Sequence, residues 1–176
     1  FAKPSSLGLP PIHAQHTDVM AYPATTRAQG YALTHHSAPN GAFADSGDVS
    51  NYTLVMDLYL PPGGGTYRAL FQADGNNSSD AEMFVRDVPG GRRGVGVNSY
   101  YNNYGSMAPG SWHRVAIVVQ CALGAGGTGQ IYKYIDGLFV GGQYPDADKP
   151  SDSRCRWAPD PTFLLFTDND NETAAG

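Results

Sequence analysis

The stretch IYKYIDGLFVGGQ, residues 131–143, decides the fold. Its residues alternate in character with a period of two, and the alternation breaks at Asp136-Gly137. A period of two is typical of a β-strand, because successive side chains point to opposite faces of a sheet. Asp-Gly supplies the positive φ angles that a two-residue hairpin turn requires. The stretch therefore predicts two consecutive antiparallel strands joined by a tight turn.

Other segments of the chain carry strand signals of the same kind. A weak alternation over residues 19–36 indicates one or two edge strands. The segment WHRVAIVVQC is apolar on both parities, which predicts a central strand covered on both faces. Alternating glycines in GVGVNSYY predict the close approach of a neighbouring sheet. The strong segments are YTLVMDLYLP (52–61), YRALFQAD (67–74), AEMFVRD (81–87), GVGVNSYY (94–101), WHRVAIVVQC (112–121) and PTFLLFTD (161–168).

Composition agrees with a chain of short strands. There are 22 glycines and 13 prolines, and only 15% of residues are charged, which suits many turns better than amphipathic helices. No segment of ten or more residues has a helical period. We predict an all-β fold of two packed antiparallel sheets, with residues 1–17 as an extended N-terminal segment and residues 18–176 as one domain.

Charge and hydropathy exclude two classes of partner. The net charge is −5, whereas binding to nucleic acid needs clustered lysine and arginine. No apolar run approaches the ~20 residues of a membrane span, so we expect no membrane insertion. Cys121 and Cys155 lack the spacing of a zinc site. A disulfide in a secreted protein and two separate buried thiols fit them equally well.

The order of the segments resembles that of laminin-G-like, concanavalin A-like jelly-roll domains, of the bacterial kind appended to larger secreted enzymes and surface proteins. The resemblance covers roughly residues 50–172 and implies a two-sheet antiparallel jelly-roll sandwich. Such domains continue into a further strand where this chain stops, so we expect the N-terminal segment or a partner to cover the open edge. The most specific part is an ordered trio, Trp112-His113-Arg114, Tyr134-Ile135-Asp136-Gly137 and Phe166-Thr167-Asp168-Asn169-Asp170.

Two acidic loops offer oxygen ligands for a cation. ADGNNSSDAE (73–82) contains Asp74 and Asp80, and FTDNDNE (166–172) contains Asp168 and Asp170. Ca²⁺ takes about six to eight oxygen ligands, and the laminin-G-like resemblance also implies one calcium ion. Neither loop has EF-hand spacing, and the same residue types also serve turns. We predict a stabilising Ca²⁺ held by these four aspartates.

An aromatic run offers a surface for a sugar. NSYYNNYGS (98–106) places Tyr100, Tyr101 and Tyr104 among asparagines, with Arg93 nearby in the sequence. A sugar presents an apolar C–H face and a rim of hydroxyls, which matches an aromatic ring beside amides and a guanidinium. Trp157, in a predicted loop, is a further platform. Each residue could instead pack within the sheet or over the core, but as a group they predict a ligand-binding surface.

These observations predict a non-catalytic recognition module of a secreted or cell-surface protein, which binds a glycan or a neighbouring domain. An accessory structural domain is one alternative, and a polysaccharide lyase or hydrolase on the same fold is another. The chain's two glutamates, Glu82 and Glu172, fall in predicted loops, which disfavours a glutamate-pair hydrolase. A lyase would need a tyrosine and a histidine as acid and base, for which Tyr132 and His113 are the candidates.

Overall fold

The computed structural model describes residues 2–12, 18–22, 31–34, 36–63, 66–72, 82–97, 101, 105–121, 129–143 and 162–166. Within them the chain forms nine strands and two short 3-10 helical turns, Pro4–Leu7 and Gly41–Ser46. No helix in this part of the chain is long and apolar enough to cross a membrane. The all-β prediction is confirmed. The strands are β1 (Tyr31–Thr34), β2 (Asn51–Tyr59), β3 (Tyr67–Gln72), β4 (Glu82–Val88), β5 (Arg92–Gly96), β6 (Trp112–Gln120), β7 (Gln130–Ile135), β8 (Leu138–Gln143) and β9 (Thr162–Leu165).

The strands form two antiparallel sheets that pack as a jelly-roll sandwich, as predicted. One sheet has five strands in the order β1-β9-β3-β4-β5, and the other has four in the order β2-β6-β7-β8. Every pairing between these strands is antiparallel. β1 is an edge strand, as the weak alternation before residue 36 predicted, and it pairs with β9 near the other end of the chain.

The core lies between the sheets, where the inward-facing side chains of each sheet meet. Phe71 and Val85 of the five-stranded sheet are 1% and 0% exposed. Ile117 and Ile131 of the four-stranded sheet are each 1% exposed. Burying a side chain of this size contributes about 1.5–3 kcal/mol, so this layer holds the sandwich together.

A polar contact joins the two sheets along one edge. β8 and β5 are the end strands of their sheets. The buried side-chain amide of Gln143 accepts the Val97 N–H at 3.3 Å and donates to the Val97 carbonyl at 3.1 Å. Both groups are therefore hydrogen-bonded inside the protein, which keeps the cost of burying them low.

β6 is central in its sheet but faces the core on one side only. It lies between β2 and β7, as predicted. Val115 and Ile117 are buried, whereas Ala116 and Val118 on the opposite parity are half-buried. The prediction that β6 is covered on both faces was therefore wrong. The side chains of Ala116 and Val118 point outward and contribute to a surface described below.

The hairpin of β7 and β8 turns at Asp136-Gly137, as predicted. Both residues have positive φ angles, 53° and 81°, which a two-residue hairpin turn requires. The Asp136 carboxylate also ties the turn to β6, since Oδ1 accepts the Arg114 N–H at 2.9 Å and Oδ2 lies 2.7 Å from His113 Nδ1. Burial raises the pKa of Asp136, but the hydrogen bonds from His113 and Arg114 and the His113 charge outweigh burial and leave that pKa below its ordinary value.

The N-terminal segment crosses one end of the sandwich. Ala2 and Val19 exchange backbone hydrogen bonds of 2.9 and 2.7 Å. Trp112, the first residue of β6, donates its indole N–H to the Pro10 carbonyl at 2.7 Å. These contacts join residues that precede β1 to each other and to the four-stranded sheet.

The two central strands of the four-stranded sheet carry or precede two residues of chemical interest, a cysteine and a buried lysine. Cys121, directly after β6, is disulfide-bonded, and Cys155 lies outside the described residues. Lys133 faces inward from β7 and is 1% exposed. Burial lowers the pKa of Lys133 to about 8, because a charged ammonium is disfavoured away from water.

Candidate functional site

The outer face of the four-stranded sheet points away from the core. Residues on this face lie side by side across the strands, because register and strand parity place them in rows. One row runs from the β2 edge to the β8 edge through the centre of the sheet, and a second row lies next to it. We call the two rows the aromatic face: Val55, Ala116, Tyr134 and Phe139 in the first, and Thr53, Val118, Tyr132 and Gly142 in the second.

The aromatic face is open to solvent. Val55 is 60% exposed and Phe139 is 54% exposed, while Tyr132 and Tyr134 are half-buried. Large apolar side chains exposed together on a soluble protein mark interaction sites. The face is therefore accessible to a ligand that offers apolar surface.

The Phe139 ring contacts both tyrosine rings of the aromatic face. The Tyr134 and Phe139 ring centres are 5.5 Å apart with an interplanar angle of 58°. The Tyr132 and Phe139 centres are 6.4 Å apart at 50°, and both separations lie in the favourable range for aromatic pairs. The Tyr132 hydroxyl donates to the side-chain oxygen of Gln130. These contacts orient the rings before any ligand arrives.

Polar side chains border the aromatic face at both ends of its strands. At one end, Arg114 donates from Nε and Nη2 to the two Asp57 oxygens, at 2.8 and 2.7 Å. The hydrogen bonds and the charge of Asp57 raise the pKa of Arg114 above its ordinary value. The Arg114 side chain is 62% exposed, so the pair can also meet a ligand. Asn51, Gln120 and Gln130 stand in register at the other end.

A second group of aromatic and charged side chains lies on the five-stranded sheet. Arg86 Cζ is 5.0 Å from the centre of the Tyr67 ring and 5.5 Å from that of Tyr101, within the range of cation–π attraction. Gly94 pairs with Arg86, and a Cβ at Gly94 would lie only 1.8 Å from the Tyr101 carbonyl oxygen. A close approach does occur at Gly94, but the neighbour is the Tyr101 backbone, so the prediction that another sheet approaches these glycines was wrong.

Two buried arginines share one carboxylate on the opposite, inner face of the same three strands, where Arg68 pairs with Val85 and Arg93 pairs with Asp87. Arg68 Nη1 lies 3.1 Å from Asp87 Oδ1, and Arg93 Nε lies 3.0 Å from the same oxygen. The Arg93 contact is an ion pair without hydrogen-bond alignment. Both guanidiniums also donate to the Gly63 carbonyl, at 2.6 and 3.2 Å. We call the two groups together the arginine–tyrosine cluster: Tyr67, Arg86 and Tyr101 on the outer face of the sheet, and Arg68, Asp87 and Arg93 on its inner face.

Two of the five predicted ligand-binding residues belong to this cluster. Tyr101 and Arg93 are each 5% exposed, and each is held by the contacts just described. Tyr100, Tyr104 and Trp157 lie outside the described residues. Tyr101 lies over Gly94 and Arg86 on the outer face of the sheet, whereas Arg93 lies beside Asp87 on the inner face, so the structure does not bring these two residues together. A ligand-binding role for the five residues stays a prediction.

The four predicted calcium ligands, Asp74, Asp80, Asp168 and Asp170, all lie outside the described residues. Among the residues that are described, no group of three or more histidine, cysteine, aspartate and glutamate side chains is placed to hold a metal ion. Calcium binding therefore stays a prediction. Glu82, expected in a loop, is instead the first residue of β4.

Tyr132 and His113, the pair that a lyase mechanism would use, lie on opposite faces of their sheet. Tyr132 pairs with Val118 and belongs to the aromatic face, whereas His113 is on the other parity of β6. His113 Nδ1 is bound to Asp136, and Nε2 lies 3.1 Å from both the nitrogen and the oxygen of Ala108. His113 therefore fixes local structure.

Sequence reasoning missed the aromatic face, although its signal lies in residues 131–143. Tyr132 and Tyr134 share one parity there, and a count along the chain places Phe139 on the other. The two-residue turn reverses that count, because it sets Phe139 opposite Tyr134. Following parity through the turn would have placed all three rings on one face.

Comparison with known proteins shows the fold and leaves the family open. No family model matches the chain, and no curated protein matches it. Among solved structures, the chain is similar to a native heptameric SAP-like pentraxin from Limulus polyphemus, with a TM-score of 0.53 and 16% identity. The alignment covers 82% of this chain and 61% of the pentraxin chain. At this identity the similarity shows a shared fold.

More distant similarity extends to alginate lyase Aly36B, with a TM-score of 0.40 and 15% identity, over 67% of this chain and 59% of the lyase. A variant of that lyase in complex with an alginate tetrasaccharide gives a TM-score of 0.36 and 14% identity, over 67% of this chain and 58% of the lyase. These values are too low to bear on function, which has to be argued from the residues of this chain.

Proposed function

We propose that this chain is a non-catalytic carbohydrate-recognition module whose ligand lies across the aromatic face. The observation that carries the proposal is the set of three contacting rings, Tyr132, Tyr134 and Phe139, on the solvent side of the four-stranded sheet. Exposed aromatic side chains on a rigid sheet lose little conformational entropy when they bind, because few of their torsions remain free.

The arrangement matches the surface of a sugar chain. Aromatic rings stack on the apolar C–H face of a sugar, and hydroxyls at its rim need hydrogen-bond partners. The exposed Asp57 and Arg114 at one end, with the half-buried Gln130 at the other, supply polar groups beside the rings. A glycan that runs along the strands would meet rings in the middle and polar groups at both ends.

A glycan suits this face better than a protein partner does. A docking surface for another domain is mainly apolar at its centre and excludes water there. Here the tyrosine hydroxyls lie among the apolar side chains, Thr53 lies at the β2 edge, and the Asp57–Arg114 pair is open to water. The lyase alternative gains no support, since Tyr132 and His113 lie on opposite faces of the sheet.

Glycan-array binding by the wild type and by single variants tests the proposal. We expect Phe139→Ala and Tyr134→Ala each to weaken binding to the recognised glycan by about tenfold or more, equivalent to about 1.4 kcal/mol. Leu138→Ala is the matched control, because Leu138 is 71% exposed in the same hairpin but lies outside the aromatic face.

Three results would contradict the proposal. The first is that the wild-type protein binds no glycan. The second is that Phe139→Ala and Tyr134→Ala bind the glycan as tightly as the wild type and the Leu138→Ala control do. The third is self-association of the wild type that Phe139→Ala abolishes, which would make the face a protein interface.

The location and the metal complete the proposal. A secreted or cell-surface setting is supported by the disulfide at Cys121, because disulfides persist in oxidising compartments.

Calcium is supported by the two acidic loops of the sequence, which contain the oxygen ligands that Ca²⁺ prefers. Complete chelation with EDTA should lower the thermal midpoint of unfolding, and an unchanged midpoint would reject the calcium part alone.

A further inference from the structure

A cavity of about 560 Å³ lies at the end of the sandwich that the N-terminal segment crosses. Its size falls within the range of about 300–1,000 Å³ that is typical of small-molecule sites. The N-terminal segment forms one wall, and the ends of β2 and β3 form the others. The walls are mostly apolar and include Leu7, Ile12, Met20, Leu58, Leu70 and Phe166.

The N-terminal wall is fixed in place by the contacts described above. The Ala2–Val19 backbone pair joins the start of the segment to the residues that directly follow it and also line the cavity. The Trp112 indole, which also lines the cavity, holds the Pro10 carbonyl. The cavity is therefore bounded by hydrogen-bonded structure on the side away from the core.

Arg68 is the one cationic side chain among the described residues that line the cavity. Its side chain is 7% exposed, and its Nε is buried without a hydrogen-bond acceptor. A buried donor without an acceptor is costly unless a ligand or water provides one. Arg68 Nε therefore lacks a hydrogen-bond acceptor within the protein.

Charge around Arg68 also favours an anion. Arg68 and Arg93 share the single carboxylate of Asp87, so the three groups together keep one positive charge. Two acidic residues line the cavity as well. Asp57 is held by Arg114 through two hydrogen bonds, and Asp18 is on the exposed side. The buried charge of the cavity is thus positive.

We propose that this cavity binds a monocarboxylate with a hydrocarbon body of fatty-acid size. The apolar walls receive the hydrocarbon chain, and the carboxylate accepts a hydrogen bond from Arg68 Nε and balances the excess charge. Among the described residues, the cavity lining contains none of the eight residues of the aromatic face and shares only Asp57 with its border, so this proposal is tested independently of glycan binding.

Displacement of a fluorescent fatty acid, dansylaminoundecanoic acid, tests the proposal on the wild-type protein. The competitors are dodecanoate, dodecanol and dodecylamine, each below its micellar concentration. We expect dodecanoate to displace the probe at a concentration about tenfold or more below the other two, because only the acid supplies an acceptor and a negative charge. Equal displacement by dodecanol, or better displacement by dodecylamine, would overturn the proposal.

Variants locate the site. Arg68→Met should remove the preference for dodecanoate over dodecanol, whereas Arg92→Met should keep it. Arg92 is the matched control because it is an exposed arginine that bonds to Ser106 and does not line the cavity. A preserved preference in Arg68→Met would contradict the role of this guanidinium.

A second variant keeps the test decisive if Arg68→Met fails to fold. Ala21 lies on the exposed side of the cavity wall, and Ala21→Trp would narrow the cavity without touching Arg68. We expect Ala21→Trp to weaken probe binding about tenfold or more at an unchanged melting temperature. Unchanged probe binding in Ala21→Trp would place the ligand elsewhere and reject the proposal.

Discussion

The aromatic face and the arginine–tyrosine cluster both contain tyrosine rings, and they lie on opposite sheets of one sandwich. In the cluster, Arg86 lies against two rings and Tyr101 is 5% exposed. On the aromatic face, Phe139 contacts two rings and remains 54% exposed. Tyr101 therefore stabilises the fold through contacts within the protein, whereas Phe139 keeps its apolar surface available. Tyr67, the exposed ring of the cluster at 41%, lies against Arg86. The exposed fraction of the ring separates Tyr101 from Phe139.

Buried cations are also handled differently in the two sheets. Arg68 and Arg93 remain charged beside Asp87, because a guanidinium does not lose its proton in proteins. Lys133, on the inner side of the sheet that carries the aromatic face, has a pKa lowered to about 8. The five-stranded sheet thus offsets part of its buried positive charge with one carboxylate, whereas the four-stranded sheet lowers the cost of a buried lysine by lowering its pKa.

The largest expected effect comes from removing the shared carboxylate of the cluster. Asp87→Asn leaves two buried guanidiniums without a negative partner, and removing one partner of a buried ion pair typically costs about 3–5 kcal/mol. Because Asp87 is 39% exposed, we expect a loss of about 2–4 kcal/mol in urea unfolding. Asp57→Asn is the control, since its partner Arg114 is on the open face, and its effect should be much smaller. Equal losses in the two variants would erase the distinction between the sheets.

The next largest effect comes from deprotonation of Lys133, which should raise the free energy of unfolding rather than lower it. Its folded pKa is about 8, below the ~10.4 of an unperturbed lysine, so the unfolded chain holds more protons between these pH values. The free energy of unfolding should therefore rise by about 2–3 kcal/mol as the pH increases from 8 to 10.4. Lys133→Met should remove this rise and stabilise the protein at pH 7. Urea titrations across this pH range check the slope, and a flat wild-type profile would contradict the lowered pKa.

The sequence predicted the frame of the molecule better than its sites. Period two and the Asp136-Gly137 turn act locally, so strand positions and the hairpin could be predicted from short segments. Whether both faces of a strand are buried depends on how the sheets assemble. The apolar sequence of β6 does not show this, and it therefore led to the wrong prediction that both faces are covered. The same limit applies to Tyr101 and Phe139, because only the folded register shows which ring lies against Arg86 and which faces water.

Glycine substitutions compare the packing over the two outer surfaces directly. A Cβ at Gly94 would lie 1.8 Å from the Tyr101 carbonyl oxygen, so Gly94→Ala must displace the backbone that covers the cluster. Overpacking of this kind typically costs about 1–3 kcal/mol. At Gly142, on the aromatic face, the nearest atoms are 3.8 Å away, and Gly142→Ala should be tolerated. Thermal melting of the two variants measures the difference, and a tolerated Gly94→Ala would mean that Tyr101 does not cover Gly94 in solution.

The smallest effect is expected for Phe139, at the β8 edge of the aromatic face. Phe139→Ala removes a ring that is 54% exposed, so the free energy of unfolding should fall by no more than about 1 kcal/mol. Tyr101→Ala, which removes a buried ring from the cluster, should cost about 3 kcal/mol by comparison. Urea unfolding of both variants, read beside the glycan-binding data, separates the two roles. If Phe139→Ala destabilised the protein as much as Tyr101→Ala, the ring would be part of the fold, and weaker glycan binding in that variant would no longer report on a contact with sugar.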